Sequence, residues 1–406
     1  MTTDYTFAVD RTTVGPWGPT HFPTPGRRLR RLLRNIQTAH HSALIRRRDH
    51  FTRLYLCSTE ARILAAQEAN RALEPWKRLS AEKVTELAHG LDPWRGSQEL
   101  VQVRFKVKPN GDSRPTVEFG PEHRALQYLV VPLLRATASL TTDQFGTRGG
   151  THAAVSRAAS GMKKGFRWGF HIDIKNCFPS FQSEPLKTFL ALPKEVTERV
   201  ILSRHFKLVS SDLEGLVGSA DDGFHEPWLA SVRSGISQGS AASNWVCEIV
   251  VGHVLRALPH IEGVLIVNYA DNFLILAKSK LEAVSMRLAL ADALSVSPAG
   301  PLQPTLVQEF GPTEKCQFLG HLIWTDADHV HVDVDDGNRQ HFQTTMHRFV
   351  KQMNCSSGPI LQKRNLRKAL RFLNSWSGAF KLTASAPTLR AHWAKTLSET
   401  ATKLGV

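Results

Sequence analysis

Between residues 101 and 107 apolar and polar positions alternate, with Val101, Val103, Phe105 and Val107 on one side. That period of two predicts a half-buried strand. PNGDSRP then supplies a turn and PTVEF a second strand, so a hairpin is expected with Lys108 and Arg114 flanking its tip. The first 95 residues have helical character behind a Pro/Gly-rich lead, VGPWGPTHFPTPG. Helices are predicted again over 121–138 and 151–163, the second with Thr151 as N-cap and Gly161 or Gly165 near its end. WGFHIDI (168–174) predicts a strand. Helical spacing over 240–257 and 279–296 brackets VNYADNFLILA (267–277), two apolar runs meeting at a short polar step, which predicts a second hairpin. QFLGHLIW and HVHVDV predict further strands, and from 338 onward the pattern is helical and polar. No internal repeat or low-complexity tract is present.

Composition narrows the function classes. The 406 residues, 42% hydrophobic and 21% charged, describe a globular chain of two or three domains. Lys and Arg number 51 against 36 Asp and Glu, a formal charge of +15 that favours a polyanionic partner, nucleic acid first and an anionic membrane surface second. No apolar run reaches the ~20 residues of a membrane span. The densest stretch, LQYLVVPLLRATASL, is interrupted by Pro132 and Arg135. MTTDYTFAVD lacks the basic and apolar regions of a secretion signal, so a cytoplasmic protein without a membrane partner is expected. Cysteines at 57, 177, 247, 316 and 355 are odd in number and share no CxxC-like spacing, against both a disulfide framework and a zinc site. GRRLRRLLRNIQTAHHSALIRRR places Arg27, Arg28, Arg30 and Arg31 on a basic helix, where they serve either as a solvated face or as contacts to nucleic-acid phosphates.

Taken alone, Asp271-Asn272 in the polar step is a turn, since both side chains suit hairpin tips. Three separated segments give it another meaning: HIDIKNCFPSF (171–181), GISQGSAAS (235–243) and YADN (269–272), followed by FLG at 318–320. In this order they resemble the palm motifs of reverse transcriptases, closest in look to the bacterial enzymes of group II introns, diversity-generating elements and abortive-infection or defence systems. VKPNGDSRP is similar to the fingers hairpin of those enzymes, and HRALQYLVVPLL and FGTRGGTHAAV to the two segments that follow it. The resemblance covers roughly 99–325. It implies an α+β, right-hand polymerase fold with fingers, a palm built on an antiparallel sheet and a helical thumb. The expected divisions are a basic helical extension over 1–98, fingers and palm over 99–337, and the thumb over 338–406.

The chemistry of such an enzyme is nucleotidyl transfer, which uses two divalent ions about 3.5–4 Å apart. Hard Mg²⁺ or Mn²⁺ requires oxygen donors, and an aspartate at a strand end beside another in a hairpin can converge on one point. Asp173 and Asp271 hold those places, with Asp173, Ile174 and Asp271 as the metal positions implied by the resemblance. A plain turn or capping aspartate is the structural alternative for Asp173. Phe178, five positions on, matches the aromatic that excludes a ribose 2′-hydroxyl, so dNTPs are the expected substrate; simple core packing is its alternative. Gln238 and Gly239 are expected against the incoming nucleotide and template, with an N-cap at Ser240 as the competing structural role. By the same resemblance Lys108 and Arg114 grip the triphosphate, a solvated hairpin tip being their structural alternative, and Arg124 and Arg148 join the nucleic-acid contacts.

The chain also departs from the family pattern. Asn272 stands where most relatives have a second aspartate, and Ser237 where they have proline. Asn272 is therefore expected as a neutral member of the catalytic set. The lysine proposed in relatives as general acid has no clear counterpart, Lys315 lying close to FLG. FLG in place of VTG argues against a retron enzyme, and the position of the C-terminus predicts no maturase or endonuclease region. The implied function is RNA-directed DNA synthesis by a stand-alone antiphage-defence enzyme with a noncoding RNA as template. A companion protein or a second copy of the chain completes the expected partners. Protein-primed or untemplated synthesis by the same site, and a catalytically silent RNA-binding scaffold, are the alternatives.

Overall fold

The alternation at 101–107 does form a strand, because it lets one face reach a core while the other stays wet. The computed structural model describes residues 25–107, 113–210, 227–326 and 329–406. Its strands are β1 (Leu100–Val107), β2 (Ser113–Glu118), β3 (Trp168–Ile174), β4 (Lys207–Ser210), β5 (Val264–Tyr269), β6 (Asn272–Ala277), β7 (Pro304–Phe310), β8 (Cys316–Phe318), β9 (His321–Asp326) and β10 (His329–Val334). They form three sheets, ordered β2-β1-β4, β5-β6-β3-β7 and β10-β9-β8.

The chain folds as two compact units that interleave in sequence. The first takes its described residues up to Thr147 together with 174–258 and 289–304. In it β1 pairs antiparallel with β2 and parallel with β4. Val101 and Val103 are fully buried against Phe119, Phe206, Leu208 and Val232. Each such side chain contributes roughly 1.5–3 kcal/mol by leaving water. Helices Arg27–His41, Ile45–Leu56, Thr59–Ala72 and Ala81–Gly90 precede the hairpin, and helix Pro121–Thr137 follows it, with Pro121 at its first turn and Pro132 inside.

Within helix Thr59–Ala72, Glu68 is buried beside Arg71, its Oε1 2.5 Å from the guanidinium Nη1. Burial pushes the carboxyl up to about 7, against the opposing pull of Arg71. The unfolded chain then releases this proton at lower pH than the folded one, so stability is full below about pH 4.5 and falls as pH rises toward 7. Glu68→Gln is expected to flatten that fall, read as melting temperatures of the two proteins from pH 4.5 to 8. Parallel curves would show that Glu68 ionises freely in the fold.

The second unit comprises 148–173, 259–288 and 305–406. Its four-stranded sheet carries Phe273, Leu274, Ile275 and Leu276 of β6 fully buried. The expected terminal helices are Asp336–Cys355, Pro359–Ala379 and Ala386–Leu404. Phe342, Met346, Leu373, Trp376 and Leu397 close their core, with the rings of Phe342 and Trp376 stacked at 3.8 Å.

Three local expectations are corrected. QFLGHLIW is not one strand: β8 and β9 are separate strands of a hairpin, turned at Leu319 (φ 49°) and Gly320 (φ 79°). Helix Gly150–Lys163 begins one residue before Thr151, behind Gly149, so Thr151 is not its cap; Gly165 does lie just past its end. Ser240 does not cap a helix either, since helix Ser243–Ala257 starts after Ala242. Its Oγ instead accepts from the Ala242 backbone N–H at 3.2 Å, tightening the loop that leads into the helix. All five cysteines are free thiols. Among the described residues no helix is long and apolar enough to cross a membrane.

Candidate active site

The polar step of VNYADNFLILA becomes a two-residue turn, Ala270-Asp271, because Tyr269 and Asn272 pair directly as the last residue of β5 and the first of β6. Asn272 is therefore a strand residue rather than half of the turn. Ala270 takes φ 54°, uncommon for a side chain with a Cβ, so the turn needs bracing. The brace is Asn268, whose fully buried amide donates from Nδ2 to the carbonyls of Ala270 (2.9 Å) and Asn272 (3.0 Å). Cross-strand register does the rest. β3 runs antiparallel to β6 with Asp173 opposite Asn272, so Asp173 stands across from the residue that directly follows Asp271 of the turn. Asp173, Asp271 and Asn272 are all half-buried.

Hydrogen bonds fix the orientation of the Asn272 side chain. Its Nδ2 donates to Oδ1 of Asp271 at 3.2 Å, and its Oδ1 lies 3.1 Å from Nε2 of His171. A carboxylate only accepts, so the amide nitrogen must face Asp271 and the amide oxygen must face His171. His171 Nε2 therefore carries the proton and donates. Burial lowers the pKa of this imidazole, hydrogen bonding to Asn272 and to the Gln317 backbone opposing the effect.

The donor chemistry fits a divalent ion. Asp173 and Asp271 offer hard carboxylate oxygens, and Ile174, with its aliphatic side chain buried, offers only a backbone carbonyl. Among the described residues no three of His, Cys, Asp and Glu converge as a ready-made metal cage. Two carboxylates suit Mg²⁺, which keeps waters and takes substrate phosphates. The Asn272 oxygen is engaged by His171, which favours orientation of Asp271 over ligation as its part in the set.

In the first unit, Phe178 lies in the short helix Cys177–Ser180, 9% exposed, its ring 6.5 Å from Phe181 in an edge-to-face contact. Its carbonyl accepts from the Ile236 N–H at 3.1 Å, so the GIS segment is laid directly on the Phe178 backbone. Gly235 (φ 60°) permits that approach: a Cβ there would stand 2.1 Å from the Phe178 oxygen. Ser237 is buried, bonded through Oγ to Oγ of Ser203 at 2.7 Å, while its carbonyl accepts from Ser243 Oγ at 2.7 Å. The serine hydroxyl thus makes a side-chain hydrogen bond that a proline at this position could not. Gln238 receives the Val117 N–H of β2 on its carbonyl at 3.2 Å, and a Cβ on Gly239 would come 2.5 Å from the Val117 oxygen. The GISQG segment and the hairpin strand β2 are in this way joined backbone to backbone. Arg114 occupies β2 opposite Lys106; its side chain and Lys108 lie outside the described residues.

Residues 106–322, more than half of the chain, match the family model described as reverse transcriptase (RNA-dependent DNA polymerase). The chain belongs to the reverse transcriptase family. The α+β, right-hand polymerase class expected from the motifs is its fold class. No curated protein matches the chain. Among solved structures, a telomerase from Candida albicans in complex with a TWJ fragment of telomeric RNA matches with a TM-score of 0.37 and 11% sequence identity, over 76% of this chain and 60% of that one. The chain therefore spans less than two thirds of that structure's length.

In this reverse transcriptase two residues beyond those expected from the sequence touch the candidate site, His171 and Asn268. Both belong to the motifs already singled out, but their partners lie across strands. The basic candidates are spread widely. Arg27, Arg28, Arg30 and Arg31 stand exposed on helix Arg27–His41, opposite buried Leu29 and Ile36, and none makes an ion pair among the described residues. Arg124 is half-buried, its Nε donating to the Phe119 carbonyl at 2.8 Å, and Arg148 is exposed. If the exposed arginines hold RNA, replacing Arg27, Arg28, Arg30 and Arg31 by Gln should weaken RNA binding and flatten its salt dependence, by a slope of about 0.7–0.9 for each phosphate no longer neutralised. Titration of RNA at several salt concentrations reads this directly. Equal slopes would leave the four as a solvated face.

Proposed function

We propose that the protein is an active RNA-directed DNA polymerase that adds dNTPs at a site centred on Asp173 and Asp271. The observation that carries this is the β3–β6 register, which pairs Asp173 with Asn272 and leaves Asp271 next to both. When bound, two Mg²⁺ or Mn²⁺ ions would activate the attacking 3′-hydroxyl and neutralise charge on the triphosphate. Asp173 and Asp271 hold the ions, with the Ile174 carbonyl as a further oxygen, and Asn272 holds Asp271 in place. Gln238 and Gly239 meet the incoming nucleotide and template, Lys108 and Arg114 bind its triphosphate, and the N-terminal arginines with Arg124 and Arg148 follow the nucleic-acid backbone. The template we propose is a noncoding RNA, the setting antiphage defence in the cytoplasm, and the product DNA. Sequencing the nucleic acids that co-purify with the protein tests the template, and a host RNA pool without enrichment of one species would count against it.

Phe178 carries the proposed sugar choice. Its ring meets Phe181 edge-on and its carbonyl accepts from Ile236, contacts that support a fixed position for the ring. Phe178→Val should open space and shift selectivity toward rNTPs by ~1–3 kcal/mol, or about 10- to 200-fold in the ratio of kcat/KM values. Matched rNTP and dNTP kinetics on both proteins measure it. An unchanged ratio would return Phe178 to core packing alone.

A further inference from the structure

Asn272 departs from the family's second aspartate, and its surroundings show what the exchange achieves. We infer that His171 is a positioning residue which, through Asn272, fixes the Asp271 carboxylate in the orientation that receives the divalent ion. This rests on the proposed polymerase site and adds to it a relay of three side chains: His171 Nε2 to Asn272 Oδ1 (3.1 Å), then Asn272 Nδ2 to Asp271 Oδ1 (3.2 Å). Each link has only one workable polarity. Asp271 accepts, so Asn272 donates to it, so Asn272 must accept from His171. An aspartate at 272 would have no N–H for Asp271 and would set a second carboxylate against it. A leucine at 171 would leave the amide free to rotate.

His171 is itself held on three sides. The β3 backbone places it opposite Leu274, two residues before Asp173 on the same strand. Its ring meets Phe318 edge-on, centroids 5.5 Å apart at 87°. The third restraint is Asn272. The arrangement also has a cost that packing alone would not justify: His171 is 7% exposed, so a polar ring is taken out of water where an aliphatic side chain would fill the space without desolvating two nitrogens. What the imidazole contributes, and an aliphatic group cannot, is the Nε2–H aimed at Asn272. Partners of this kind orient metal-binding groups, and their loss typically lowers metal affinity about 10- to 100-fold.

The test is calorimetric titration of the full-length protein with Mn²⁺, without nucleotide, alongside the Mg²⁺ midpoint of dNTP incorporation and the melting temperature. His171→Leu should weaken Mn²⁺ binding about 10-fold or more and raise the Mg²⁺ midpoint in step. His171→Gln, which keeps an N–H donor of similar reach, should restore binding to within about 3-fold of native, a rescue that a merely space-filling role would not give. In an Asn272→Ala background the Leu substitution should have no further effect, because the relay is already cut. Native-like Mn²⁺ binding by His171→Leu, or an equal loss with and without Asn272, would overturn the inference. So would a Gln variant that melts like native yet binds Mn²⁺ as poorly as the Leu variant. Asp173→Ala and Asp271→Ala serve as controls. If they bind Mn²⁺ as native does, the metal site and the relay fall together; if they lose binding while His171→Leu keeps it, only the relay falls.

Discussion

Asp173→Ala and Asp271→Ala are each expected to reduce dNTP incorporation to background while the protein melts as the native one does. Both carboxylates are half-buried, Asp173 near the end of β3 and Asp271 in the β5–β6 turn, so truncating them removes little packing. On the proposed mechanism, loss of either oxygen donor from the centre that bears transition-state charge would cost about 3–4 kcal/mol, a factor of roughly 10²–10³ in rate. The two variants are expected to fall alike, since β3 and the β5–β6 turn supply one carboxylate each. Labelled dNTP incorporation and thermal melting, run on the same preparations, separate lost chemistry from lost fold. Undiminished incorporation by either variant removes that aspartate from the site.

Gly235→Ala is expected to be as damaging by another route. With φ at 60° and the Phe178 oxygen 2.1 Å from the added Cβ, the GIS segment cannot stay where it is. The Ile236 N–H bond to the same oxygen would be pulled apart. Left-handed strain and the clash with backbone together should cost about 2–3 kcal/mol or more. Incorporation should fall further than stability does, because Phe178 and Gln238 flank the displaced segment. Gly378→Ala, inside helix Pro359–Ala379 with nothing within 4 Å of the added atom, is the control and should leave both readings near native or slightly stabilised. A Gly235→Ala protein that behaves like the Gly378→Ala one would show that the close approach at Phe178 is dispensable.

How far the sequence carries is clearest at the palm. β3, β5 and β6 were legible because each shows an apolar run with polar ends, and the polar step between two such runs marks a turn. Asp173 and Asp271 followed from that placement and from the resemblance. The residue that closes the turn did not: Asp271-Asn272 reads as the natural tip, yet the tip is Ala270-Asp271, held by Asn268 from inside the strand. A buried asparagine in an apolar run was the available signal, since such a group needs partners. His171 escaped for a different reason. Its meaning lies 101 residues away at Asn272, and cross-strand register is invisible to local periodicity. QFLGHLIW reads as a single strand because its apolar residues hide the break that Gly320 marks. The caps expected at Thr151 and Ser240 fail because each helix starts elsewhere, behind Gly149 and Ala242, which puts Thr151 inside one helix and Ser240 in the loop before the other.

The most direct test is incorporation of labelled dNTPs by the unaltered protein, purified with its bound RNA, in Mg²⁺, in Mn²⁺ and with divalent ions chelated. Asn272 in place of a second aspartate makes this decisive, because a chain kept only for RNA binding would carry the same fold. The expected result is a DNA product in Mg²⁺ or Mn²⁺ that disappears on chelation and on prior digestion of the RNA. No incorporation with either ion, with the RNA partner present, would contradict the assignment of Asp173 and Asp271 as a working polymerase centre.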